Sequence, residues 1–175
     1  MHPLLIWLLG WFMIAVIMLV TWYFSERMSK AAIVDVIWTY SIGLLALFYA
    51  LTTAAPETTR KWLVAGVTLL WSIRLGTHLF FRISKEAEDK RYAALKRDWG
   101  SEAGRKMLVF FQQQGLADSI LSLAVLVAIL NPSEFPSLFD FLGIILAIIS
   151  LAGEAVSDWQ LKQFKADPAN RGKTC

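Results

Sequence analysis

The chain reads as five apolar stretches separated by short polar connections. A helix crossing the hydrocarbon core of a bilayer needs about 20 predominantly apolar residues. Five segments meet that requirement, near 3–24, 31–52, 62–82, 107–130 and 137–158. The first carries no charge at all, whereas the other four hold polar side chains that must face protein or water if those segments span. None shows the period-two alternation of a strand, and lipid offers the backbone no hydrogen-bond partner but itself. The pattern therefore predicts an all-α fold: a polytopic helical bundle of about five transmembrane helices in a single membrane domain, 1–175, with a connection at 83–106 and a tail at 159–175.

Charge orients the bundle. One set of connections carries Arg27 and Lys30, then Lys85, Lys90, Arg91, Lys96, Arg97, Arg105 and Lys106, then Lys162, Lys165, Arg171 and Lys173. The opposite set has only Arg60 and Lys61. The positive-inside rule puts the first set in the cytoplasm and the N-terminus outside, in a bacterial inner membrane. The run from Pro3 to Phe24 lacks a basic flank and a small-residue cleavage site, so it is expected to be a retained span and not a signal peptide. The 83–106 connection mixes charges with Ala, Leu and Trp99, as a short interfacial helix broken near Gly100 would, or a solvated loop that sets topology. Asn131-Pro132 and Pro136 mark an outer turn.

Composition agrees with lipid as the solvent: 57% of residues are hydrophobic, with eight Trp and eleven Phe. The net charge of +3 is modest, and its basic residues flank the spans. That placement suits membrane lipid headgroups or an anionic cofactor, and not nucleic acid. The single cysteine, Cys175, excludes an intrachain disulfide. No glycine-rich dinucleotide turn, P-loop or nucleophile elbow occurs. A nucleotide would have to be held by helix-borne arginines and carboxylates.

Ionisable groups inside spans are costly and mark candidate sites. Asp35 lies near the start of the second span, followed by Trp38, Thr39 and Tyr40. Arg74, His78 and Arg82 fall four apart, on one stripe of the third. Gln112, Gln113, Gln114 and Asp118 enter the fourth, and Glu154 and Asp158, again four apart, end the fifth; Asp140 stands alone near the outer side. A polar cavity open to the cytoplasm is the economical expectation. Plainer roles compete: an Asp158–Lys162 interfacial pair, a snorkelling Arg82, a structural pairing of Arg74 with Asp35 or Glu154, and glutamines that glue helices. His78 has no partner at ligand spacing, so no metal is expected.

Asp35-x-x-Trp38, Trp71-Ser-Ile-Arg74-Leu-Gly-Thr-His78-Leu-Phe-Phe-Arg82-Ile and Glu88-Asp-Lys-Arg-Tyr92 form one set of motifs. Phe110-Phe-Gln-Gln-Gln-Gly115, the segment from Gly153-Glu-Ala-Val-Ser-Asp158 to Phe164-Lys, and Asn170-Arg-Gly172 complete it. Over nearly the whole chain this set resembles an uncharacterised bacterial membrane family of the steroid 5-alpha-reductase C-terminal-like group. The resemblance implies NADPH in a cavity open to the cytoplasm and reduction of a lipid or steroid-like carbon–carbon double bond. It implies cofactor contacts from Glu154 and Asp158, phosphate or ribose contacts from Arg74, Arg82, Asn170 and Arg171, and a substrate side formed by Asp35, Trp38 and Gln114.

Members of that group continue past Asn-x-Gly with an Arg-His-Pro segment, whereas this chain stops at Lys173-Thr-Cys175. The expectation is a truncated product that binds NADPH weakly or not at all and does not turn over. Two other readings stay open. One is an S-adenosylmethionine-dependent membrane methyltransferase of the isoprenylcysteine or phospholipid type; the other is a non-catalytic membrane protein descended from such enzymes.

Overall fold

The computed structural model describes residues 2–84, 88–170 and 173. Every element among them is helical, as the apolar runs predict: α1 (Pro3–Met28), α2 (Ile33–Thr52), α3 (Thr58–Ser84), α4 (Lys90–Trp99), α5 (Ala103–Leu121), α6 (Leu123–Ile129) and α7 (Leu138–Ala166). Single 3-10 turns at Gly100–Glu102 and Pro168–Asn170 complete the set. Five helical stretches are long and apolar enough to cross a membrane: α1, α2, α3, the run Lys90–Ile129 and α7. The chain divides into two compact units, Met1–Ser133 and Glu134–Cys175.

In the first unit, α1 begins on His2, whose Nδ1 accepts from the Leu4 amide at 3.3 Å, with Pro3 at the first helical position where its missing N–H costs nothing. It ends at Ser29 in the left-handed conformation. Its buried residues, Ile6, Gly10, Ile14, Met18, Thr21 and Ser25, recur every three or four positions and form one stripe. Lipid tails are as apolar as leucine, so close backbone approach and hydrogen bonds must hold such helices together. Gly115 of α5 supplies the close approach, since a Cβ there would meet Met18 Cγ at 3.0 Å. Trp7 Nε1 donates to the Ser119 carbonyl at 2.9 Å, Trp22 Nε1 to the Gly104 carbonyl at 3.0 Å, and Gln112 Nε2 to the Ala15 carbonyl at 3.2 Å, joining α1 to the α5 region along its length. Gln112 thus glues helices.

The most extensive pairing is α2 with α3. Ser72 Oγ donates to the Thr39 carbonyl at 2.7 Å and Tyr40 shares a hydrogen bond with Thr77 at 3.0 Å. Gly43 lies against Ser72 and Gly76 against the Tyr40 ring. At the other end of α3, Arg60 is 2% exposed and donates to the carbonyls of Asn131 and Ser133 at 3.0 and 2.6 Å. One of the two cations counted on the outer side is therefore a fixture of the turn after α6. Orphan carbonyls past a helix end need donors, and a guanidinium supplies them.

In the second unit, Ser137 and Asp140 form a reciprocal cap on α7: the Ser137 amide and hydroxyl donate to Asp140 Oδ2 at 2.7 and 2.8 Å, and the Asp140 amide returns one to Ser137 Oγ. Asp140, the isolated outer carboxylate of the sequence, is a helix cap.

Candidate functional site

The α2–α3 pairing sets the geometry of the candidate site. The helices meet at Thr39–Ser72 and Tyr40–Thr77, which brings the turn carrying Trp38 to the level of the α3 segment that follows Ser72. Gly76 lets the Tyr40 ring lie where a Cβ would come within 2.7 Å of Cε1. Arg74 is half-buried on this segment, and His78 and Arg82 follow it into the exposed end of α3. The stripe inferred from four-residue spacing therefore runs from protein interior to surface. Trp38 is half-buried and packs against the core, yet its indole Nε1 is buried with no hydrogen-bond partner among the described residues. A buried indole N–H normally finds an acceptor. Its isolation leaves a buried donor on α2.

Asp35, one turn earlier, is engaged elsewhere. Tyr92 Oη donates to its Oδ1 at 2.7 Å and Arg91 Nη2 to its Oδ2 at 3.2 Å, so α4 is docked on the start of α2. Glu88 reinforces the dock: its carboxylate accepts from the Ala31 amide at 3.0 Å and from Lys96 Nζ at 3.0 Å. The Arg91 side chain is 67% exposed, so its ion pair contributes roughly 0–1 kcal/mol. Tyr92 is 4% exposed, and a buried hydrogen bond to a charged group stabilises by about 1.5–3 kcal/mol. Tyr92 is the principal anchor. Asp89 caps α4 by accepting from the Arg91 amide, and the hydrogen bond from the Arg91 guanidinium holds its carboxyl below the ordinary range.

Gln114 is half-buried on α5, one turn before Asp118. Asp118 is fully buried, and neither carboxylate oxygen has a hydrogen-bond partner among the described residues. The sequence marks Asp118 as a charge within a span but gives no sign of this isolation. Tyr92 and Glu88, which fix α4, carry no sequence signal of their own beyond the Glu88–Tyr92 motif. Glu154 and Asp158 are half-buried on α7 and belong to the second unit. In that unit the Asn170 side-chain amide donates to the Phe164 carbonyl at 3.2 Å, closing the helix end. Arg171 lies outside the described residues. Among the described residues no group of three or more His, Cys, Asp or Glu side chains is gathered at a metal-binding distance.

These features define an all-helical membrane protein with membrane-length helices, a helix carrying Arg74, His78 and Arg82 on one face, and a buried indole donor on the helix paired with it that has no acceptor among the described residues. Residues 21–175 match the family described as protein of unknown function, DUF1295. The chain belongs to that family. No curated protein and no solved structure matches it.

Proposed function

We propose that the protein is a membrane-embedded, NADPH-dependent reductase of a lipid or steroid-like carbon–carbon double bond, set in a bacterial inner membrane with the 83–106 connection and the C-terminus in the cytoplasm. The observation that carries the reading is the buried Trp38 N–H, without an acceptor among the described residues, on the helix paired with the Arg74–His78–Arg82 stripe. The likeness of the motifs to the steroid 5-alpha-reductase C-terminal-like group supports it.

The donor set fits a dinucleotide. Guanidinium groups bind phosphate oxygens in a planar, charge-assisted geometry, and Arg74 and Arg82 present two of them on one helix face. When bound, NADPH supplies a hydride. In reduction of an enone the carbonyl oxygen gains electron density as hydride reaches the β-carbon, and a buried donor aimed at that oxygen stabilises the enolate. Trp38 is this chain's candidate for that donor. Asp35, the other substrate-side candidate on α2, acts at one remove by holding α4 through Tyr92.

The test uses the protein as its host makes it, purified in detergent and titrated with NADPH and with S-adenosylmethionine while intrinsic fluorescence is followed. If the host's product carries the Arg-His-Pro segment that the resemblance implies, NADPH is expected to bind, with Arg74→Gln weakening it by about tenfold, the loss of one charge-assisted contact of ~1.4 kcal/mol. Trp38→Phe is expected to leave NADPH affinity unchanged and to lower turnover. Saturable binding of S-adenosylmethionine and none of NADPH would refute the reading.

A further inference from the structure

A second site stands apart from the α2–α3 face. α4 ends at Gly100, whose φ of 52° is open to glycine at no steric cost, and one 3-10 turn leads into α5. Tyr92 meets Phe110 edge-on with ring centroids 6.1 Å apart, tying α4 to α5. Between them lies a groove of about 380 Å³, walled by Trp99 on one side and by Arg105, Lys106, Val109, Phe110 and Gln113 on the other; Glu102 stands at its mouth.

The order of these residues along α5 is informative. Glu102, Lys106, Val109 and Gln113 recur at four and three residues, so they share a face with Arg105 beside them. The cations come first. At 1.5 Å per residue, Val109 and Phe110 lie roughly 5 Å further along the axis. The same face continues as an exposed apolar row, with Val109 at 52%, Leu116 at 41% and Ile120 at 52% exposure. Lys106 is paired with Glu102 at 2.7 Å, whereas Arg105 has no carboxylate partner among the described residues. The groove therefore carries net positive charge, a tryptophan at its rim and an apolar track beyond the cations.

We propose that this groove binds an anionic glycerophospholipid, with the phosphate at Arg105 and Lys106 and an acyl chain laid along Val109, Leu116 and Ile120. Charge complementarity selects the headgroup, because basic residues at a bilayer surface attract anionic lipids. Trp99 fits the depth of the glycerol region, where amphipathic aromatics concentrate. The proposal does not depend on the reductase reading, since it uses none of the residues assigned to the cofactor.

The experiment is thermal unfolding in a neutral detergent, with phosphatidylglycerol, phosphatidylcholine of the same acyl composition, inorganic phosphate or NADPH added. Phosphatidylglycerol is expected to raise the wild-type Tm more than phosphatidylcholine does, and inorganic phosphate to leave it unchanged. The Arg105→Gln/Lys106→Gln variant should lose at least half of the phosphatidylglycerol shift. Val109→Trp, which fills the groove and keeps both charges, should lose it as well. Equal shifts from the two lipids would overturn the proposal, as would a full phosphatidylglycerol shift in both variants. Reproduction of the shift by inorganic phosphate, or its abolition by NADPH, would assign the cations to a different ligand and equally overturn it.

Discussion

Gly43→Leu is expected to unfold the bundle at markedly lower temperature or denaturant than the wild type. A Cβ at this position would sit 2.5 Å from Ser72 Oγ and 2.7 Å from Ser72 Cβ, with Leu69 Cδ1 at 3.2 Å. The two nearest atoms belong to Ser72, whose short side chain cannot swing clear, so α2 and α3 must separate. Separation also breaks the Ser72 hydrogen bond to the Thr39 carbonyl. Overpacking a tight contact costs about 1–3 kcal/mol, and the lost hydrogen bond about 1 kcal/mol more. Gly66 provides the control within the same pair of helices, because a Cβ there meets nothing within 4 Å. Gly66→Leu should match the wild type in a detergent unfolding titration. If Gly43→Leu and Gly66→Leu unfold together, the α2–α3 contact described here is wrong.

The second large effect has the opposite sign. Asp118→Asn is expected to stabilise the protein by about 1–3 kcal/mol, since it removes a carboxyl that no donor among the described residues satisfies. The surrounding hydroxyls are committed elsewhere: Ser119 donates to the Gly115 carbonyl at 2.9 Å, Ser122 to the Ser119 carbonyl at 2.7 Å, and the Tyr49 hydroxyl bonds Ser122 Oγ at 2.8 Å. A buried carboxyl without a donor is costly to keep, and inside a span it is a candidate functional group. Asp98→Asn, an exposed change on α4, should shift stability by no more than about 0.5 kcal/mol. Loss of stability in Asp118→Asn would mean that the carboxyl is held by partners.

Much of this fold was readable from the apolar runs, because lipid imposes one rule on every span: helix, with its backbone satisfied internally. The helix ends were less so. α1 continues through Ser25, Glu26 and Arg27 to Met28, since polar residues in a last turn do not stop a helix, and the left-handed Ser29 does. The Arg74–His78–Arg82 stripe was legible because helical spacing alone places those residues together. The partners of Asp35 were not, because Tyr92 stands 57 residues away and hydropathy carries no pairing information. Arg60 looked like an outer-loop charge, and only the carbonyls of Asn131 and Ser133 reveal it as interior. Trp38 entered as a substrate-side candidate through its motif; what the structure adds is its isolated N–H.

The claim of reductase chemistry meets its most direct test in an isotope experiment. Membranes containing the protein as its host makes it are incubated with total lipid extract, NADPH deuterated at the transferable position and S-adenosylmethionine carrying a deuterated methyl group, and the lipids are read by mass spectrometry. The account expects a lipid that has lost one double bond and gained a single deuterium from NADPH, with less of that product in Arg74→Gln membranes when NADPH is limiting. Transfer of the labelled methyl group without deuteride, or no label in any lipid, would contradict it.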